Sequence, residues 1–524
     1  MIRFLPIALW LVWPVQILAQ SPASVQPPIP QSANSSNAST SDNSTVFSPS
    51  RGSTGQIIPA DPVPYEIPLL EEHGAERAVD TLSLGEVLRS SARTQPQIIA
   101  ALARIRQAEG RALEAEGAFD TVFDVEGYSR AFGYYDGTVV EGRATRPLTR
   151  NGGYTYGNYR ISRGTFPIYE DEEFTNRLGE FKVGALFSLL RDRLIDERRS
   201  RNRLASVDVD IAQFEAQATA IGVQTRAVQA YQTWVAAGLR LRAYRDLLAL
   251  AESRRGAIAR QVELGAQPEI LVVENEQNLV RRRALEAEAA QNFAVAANEL
   301  SLFYRTPAGE PIVPSAERLP PDTSSLASLT PNPLVDPESR PELQTVLAQI
   351  DQSLIRLALA RNDLQPRLDL QGQVGKDTGA VGMGGPTRTP FEAVIGFRFS
   401  VPLQNRAARG RISEAQAEID ALTWRQRFLR DQIVTEVRSI NIAIDGSERL
   451  ADIAERERDL ALRLAEAERR RFQLGSSNFF LVNQREETAA DAEVRLIEAR
   501  ARIGGALAEL SAATADRTVL RLRD

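Results

Sequence analysis

A Gly-Lys pair inside a glycine-rich run can cradle a phosphate, and Gly375-Lys376 sits in such a run, residues 372–385. The phosphate-loop pattern also needs a glycine five residues before the pair and a serine or threonine after it. Leu370 and Asp377 hold those places, so a surface hairpin turn is the better reading. The adjacent acids Glu486-Glu487 could serve as general acid and base. They lie in a helical tract with arginines nearby and read as a solvated face. His73 is the one histidine, and there is no cysteine. No Ser-His-Asp triad, thiol chemistry, disulfide or ordinary zinc site can be assembled from that inventory. The sequence therefore predicts no catalytic, cofactor-binding or metal-binding residues, and the chain is expected not to be an enzyme.

The elements point elsewhere. The chain has 524 residues, a formal net charge of −6 and 43% hydrophobic residues. Basic residues are scattered among acids along helices, which argues against nucleic acid as a partner. Met1-Ile2-Arg3, an apolar run from Phe4 to Leu18 and Ala19-Gln20-Ser21 fit a secretory signal peptide over residues 1–19. No other stretch approaches the roughly 20 apolar residues of a spanning helix. Residues 20–80 are rich in Ser, Asn, Thr and Pro and read as a flexible leader.

Two tracts, roughly 194–263 and 409–474, read as helices on the order of 100 Å long. They end on Val262-Glu263-Leu264-Gly265 and Phe472-Gln473-Leu474-Gly475, glycine being favoured just past a helix end. Ile412, Ile419, Ile433 and Ile440, with Ala415, Leu422 and Leu429 three positions on, trace a coiled-coil seam that Gln426 interrupts. A first helix is expected over about 84–117, restarted at Pro96, and a return helix from Pro268 to about Phe303. Two-residue alternation predicts strands over 121–131 and 181–189.

The plan then recurs, which is the strongest internal signal in the sequence. Residues 81–304 form the first repeat and 342–515 the second, joined by a proline-rich segment, 305–341, with a tail at 516–524. In the second repeat a helix over 342–364 begins after Pro341, as the first restarts at Pro96. Strands follow at 367–375 and 391–401, then the second long helix and a return helix over 479–513. Gly265 aligns with Gly475, and Glu299-Leu300 with Glu509-Leu510. In each repeat the two shorter helices could stack end to end beside the long one.

Four strands with one apolar face cannot close on themselves, and an open sheet edge is forbidden in lipid. Several chains must then share a barrel. Asp124, Glu126, Arg130, Asp369 and Arg398 would face a wet lumen, and Phe181, Phe187, Phe391, Phe397 and Phe399 would face lipid. The competing reading is a soluble sandwich with its apolar faces packed together, on a periplasmic coiled-coil scaffold or adaptor.

The doubled plan resembles the TolC family of outer-membrane efflux proteins. The tip phrases Leu264-Gly265 and Leu474-Gly475 carry the likeness, each followed by Leu-Val (Leu271-Val272, Leu481-Val482), as do Phe187-Ser188-Leu189-Leu190 and Phe399-Ser400-Val401-Pro402-Leu403. The resemblance spans roughly residues 80–515. It implies a mainly α fold with a membrane β part: long antiparallel coiled-coil helices forming a tunnel, an internal two-fold repeat, and four strands per chain in a trimeric twelve-stranded barrel. It implies a homotrimer in the outer membrane of a Gram-negative bacterium, a conduit for efflux or type I secretion. Leu264, Gly265, Phe472, Leu474, Gly475 and Ser477 would form the periplasmic tip that meets an adaptor protein, itself joined to an inner-membrane pump. The segment 305–341 would belong to an equatorial belt.

This chain departs from the family in places. Ser477, Leu481 and Gln484 stand where relatives narrow the tip with aspartates and an arginine, so that gate is not carried over. Glu269 and Glu274 read as a solvated face. With no cysteine to acylate, the barrel alone would hold the protein in the membrane. Tyr134–Thr175 is long for an outer loop and has room for an extra hairpin.

Overall fold

The computed structural model describes residues 81–331, 336–388 and 390–522. The expected signal peptide and leader, and with them His73, lie outside the described residues.

The helices form where the sequence predicts them. α1 (Leu84–Thr94) and α2 (Pro96–Glu116) are separated at Gln95, whose extended backbone precedes the proline. The long helices are α3 (Glu197–Glu263, 67 residues) and α6 (Arg406–Gln473, 68 residues). The shorter ones are α4 (Ile270–Leu300), α5 (Pro341–Asn362) and α7 (Phe479–Ala513). No helix among the described residues is long and apolar enough to cross a membrane.

Packing sets the helices side by side as four staves. α2 and α4 pack on α3, and α5 and α7 each pack on both α3 and α6. Each pair of shorter helices thus runs beside a long one. The α6 seam is buried at Ala415, Ile433, Val437 and Ile440, and continues through Ala451, Ala454, Ala461 and Ala465. Towards the tips this contact is alanine against alanine, Ala461 and Ala465 on Ala489 and Ala492, which lets the backbones approach closely. The largest core lies mid-length, around Trp234, Tyr231, Val228 and Leu300. There the Tyr231 hydroxyl donates to the Leu82 carbonyl at 2.9 Å, and burial pushes its pKa up to about 12.

The segment 305–341 is not a free linker. Its short 3-10 turns pack on the helices, with Leu319, Leu326 and Leu329 in the main core. Gly504 of α7 is where Leu326 crosses, and a Cβ there would collide with the Leu326 carbonyl oxygen. Residue Leu520 of the tail is also fully buried.

The sheet corrects the sequence reading. It has six strands, not four: β1 (Val122–Ser129), β2 (Thr138–Pro147), β3 (Gly153–Arg163), β4 (Glu180–Ser188), β5 (Arg367–Asp377) and β6 (Glu392–Ser400). They run antiparallel in chain order, with β1 and β6 at the edges. The four expected strands are present; β2 and β3 are additional and lie between β1 and β4. Small residues interrupt their alternation, Gly142 standing in the row where β4 carries Phe181, and Ala144 and Gly157 where it carries Val183, so hydropathy alone does not mark them.

Candidate functional site

Among the described residues no group of acidic or histidine side chains could hold a metal ion, and the most distinctive features are the sheet and the two helical tips. Strand register turns the sheet into two opposite surfaces. One row of neighbours crosses all six strands as Phe123, Ala144, Gly157, Val183, Val374 and Ala393. The row one residue on reads Asp124, Arg143, Asn158, Lys182, Gly375 and Glu392. Successive side chains of a strand point to opposite faces, so the first surface is apolar and the second polar. The apolar face is uncovered: Ile395 is 81% exposed and Phe397 77%.

Side chains tie the polar face together. Arg160 on β3 pairs with Glu180 on β4 at 2.8 Å, and Lys182 with Glu180 at 2.9 Å. Asn158 donates to Glu141 at 2.8 Å. The Tyr156 hydroxyl reaches over β4 to donate to Gln373 Oε1 on β5 at 2.7 Å. Gly184 makes this reach possible, since a Cβ there would stand 2.5 Å from the Tyr156 ring.

At the helix end of the sheet, Arg199 acts as a staple. Its side chain is nearly buried, pairs with Asp196 at 2.9 Å, and donates to the carbonyls of Asp192 (2.6 Å), Arg193 (2.9 Å) and Arg150 (2.9 Å). Arg150 lies in the turn joining β2 to β3, so one guanidinium fixes that turn to the start of α3.

The residues expected to face a lumen separate on inspection. Asp124 and Glu126 are exposed on the polar face of β1, and Arg398 on that of β6. Asp369 shares the face but is buried, bonded by the Ser188 hydroxyl at 3.0 Å and by Arg367 at 2.7 Å. Arg130 lies past the end of β1, in the loop, paired with Glu170 and over the Phe166 ring. Phe181, Phe187, Phe397 and Phe399 are on the apolar face, and Phe391 immediately precedes β6.

The tips share one geometry. Gly265 and Gly475 have φ of +69° and +74°, the left-handed region that favours glycine. In each turn the residue after glycine bonds back five positions, Ala266 to Gln261 at 2.9 Å and Ser476 to Arg471 at 2.8 Å. The glycine itself bonds back three positions. This is the Schellman closure of a helix. Leu264 and Leu474 project into solvent. Phe472 and Ser477, expected beside them, are half-buried: Phe472 packs near Phe479, and the Ser477 hydroxyl donates to Glu468.

Sequence reasoning missed one cluster. Glu486, read above as solvated, has a side chain 1% exposed and receives Arg282 at 3.2 Å, Arg469 at 3.2 Å and Arg254. These four residues come from α7, α4, α6 and α3. Arg282 is 0% exposed, also donates to the Leu247 carbonyl at 2.8 Å, and has its pKa lowered by burial against the opposing pull of Glu486. The triplet Arg281-Arg282-Arg283 does not show in sequence which member turns inward.

Residues 337–516 match the family model described as outer membrane efflux protein. No curated protein sequence matches the chain significantly. Among solved structures, the outer membrane channel CmeC of Campylobacter jejuni is similar over 86% of this chain and 94% of its own, at 16% identity and a TM-score of 0.55. The Vibrio cholerae outer membrane protein VceC is similar over 82% and 96%, at 14% identity and 0.55. The open state of the Neisseria gonorrhoeae MtrE outer membrane channel is similar over 83% and 90%, at 14% identity and 0.56. At these identities the structural likeness is one of fold. The resemblance drawn from the tip phrases and the doubled plan is borne out.

Proposed function

We propose that this chain, whose residues 337–516 carry the outer membrane efflux protein pattern, is a passive export conduit of the outer membrane of a Gram-negative cell. Three copies join their sheets into one barrel, and their helices continue it as a tunnel through the periplasm. The tips around Leu264, Gly265, Leu474 and Gly475 meet a periplasmic adaptor, which links them to an inner-membrane pump. Conduction needs no reaction and no cofactor; energy and choice of cargo come from the partners.

One observation carries this reading. A single-layer sheet has an uncovered apolar face, a charged face behind it and two unpaired edges, and in water such a sheet would aggregate. In lipid the apolar face is satisfied, and joining edges between copies satisfies the remaining backbone groups. Strands of 8 to 11 residues suit the membrane, where about 9–11 tilted residues span the hydrocarbon. A 67-residue helix reaches about 100 Å, a length suited to crossing an aqueous compartment.

The test is fractionation followed by conductance. The protein should stay with outer membranes through carbonate extraction, and the purified oligomer should open steady pores in planar lipid. A soluble, monomeric protein without conductance would instead fit a periplasmic scaffold and overturn the proposal.

A further inference from the structure

We infer that the assembled barrel has eighteen strands, because the β2–β3 hairpin forms part of the wall rather than an outer loop. The inference rests on the trimeric barrel proposed above and adds the width of the opening and the seam between copies.

The hairpin is built into the sheet on every side. β2 pairs with β1 along all eight residues of β1, from Val122↔Thr145 to Ser129↔Thr138, and β3 pairs with β4 from Gly153↔Phe187 to Arg160↔Glu180. β1 and β4 are thereby held two strands apart. Both hairpin strands also keep the two-faced pattern: Ala144 and Gly157 continue the apolar row, Arg143 and Asn158 the polar one. A loop folded over the outside would have no reason to match both faces in register. The hairpin is fixed at its helix end by Arg199 on the Arg150 carbonyl and across its polar face by Tyr156 on Gln373. The free edges are then β1 and β6, and the surface each offers is a strand edge fitted to the opposite edge of a second copy.

Width supports the same count. Strands about 4.8 Å apart and tilted by about 40° each take about 6 Å of circumference. Eighteen close a ring on the order of 110 Å around, whereas twelve close one of about 75 Å. The four helical staves of each chain make twelve in a trimer, and at helix spacings of about 8–10 Å these enclose about 96–120 Å. Eighteen strands therefore meet the tunnel at nearly its own width. The outer opening becomes about 1.5 times as wide as a twelve-stranded one.

The test is to count strands in the full-length protein, imaged by electron cryo-microscopy in lipid nanodiscs. Because the chain has no cysteine, engineered pairs give a second readout in native membranes. Glu126→Cys with Glu141→Cys probes β1 against β2, and Asn158→Cys with Lys182→Cys probes β3 against β4. An eighteen-stranded trimer, with both pairs forming disulfides within one subunit, is the expected result. A twelve-stranded trimer, with residues 138–163 outside the wall and neither pair forming, would overturn the inference and leave the conduit standing. A protein with no membrane barrel would overturn both.

Discussion

Replacing Glu486 by glutamine should loosen the joint between the two helical hairpins. The substitution keeps the shape and removes the one carboxylate that Arg282, Arg254 and Arg469 share. Removing one member of a buried ion pair costs about 3–5 kcal/mol, because the remaining charge is left unpaired in a medium that solvates it poorly. Arg282 belongs in that class, being wholly buried. Arg254 and Arg469 are partly exposed, so water screens much of their share, and the expected loss stays near 3–5 kcal/mol rather than three times that. The assay is guanidinium unfolding of the purified protein in detergent, followed by far-ultraviolet circular dichroism, which reports the helices. The double change Arg282→Met with Glu486→Leu should recover most of the loss, since buried pairs replaced by apolar residues are often neutral or better. A loss below about 1 kcal/mol for Glu486→Gln, the size of an exposed pair, would refute the assignment of this cluster as a buried joint.

Gly504→Ala should destabilise the helical part by at least about 1–3 kcal/mol through overpacking on Leu326, while Gly505→Ala, with open space around it, should be neutral or slightly stabilising in the same unfolding assay. Gly184→Val should reduce yield of the assembled oligomer, seen as a heat-sensitive band on gels, because the side chain displaces Tyr156. Gly157→Val on the apolar face meets nothing and should assemble normally. Phe397→Arg should impair membrane insertion, at a cost of about 2–4 kcal/mol for a charge on the lipid face, whereas Gln371→Arg on the polar face should insert as the parent does. Gly475→Val should lower export at matched protein level and leave the oligomer intact, since the positive φ of Gly475 shapes the tip turn.

Much of the helical architecture was legible in the sequence, because it is set by local signals. Pro96 ends one helix and starts the next, Gly265 and Gly475 permit backbone angles that other residues resist, and the seam through Ile433 and Ile440 selects the buried face of α6 whatever covers it. Strands β1, β4, β5 and β6 were legible for a similar reason, since alternation between large apolar and polar residues is carried within each strand. The family resemblance was legible too, through the order of these signals rather than any one of them.

Tertiary structure decided the rest. β2 and β3 carry small residues at Gly142, Ala144 and Gly157 of their apolar face, and Gly157 reads as part of a sheet only beside Val183, whose register is set by backbone pairing between separate segments of the chain. Asp369 and Glu486 share residue type with exposed acids nearby, and only the neighbours that cover them, Ser188 and Arg367 for one, Arg282 and Arg469 for the other, determine that they are buried. A sequence specifies its own periodicity and its turns. Which side chains lose their water depends on what the fold brings against them.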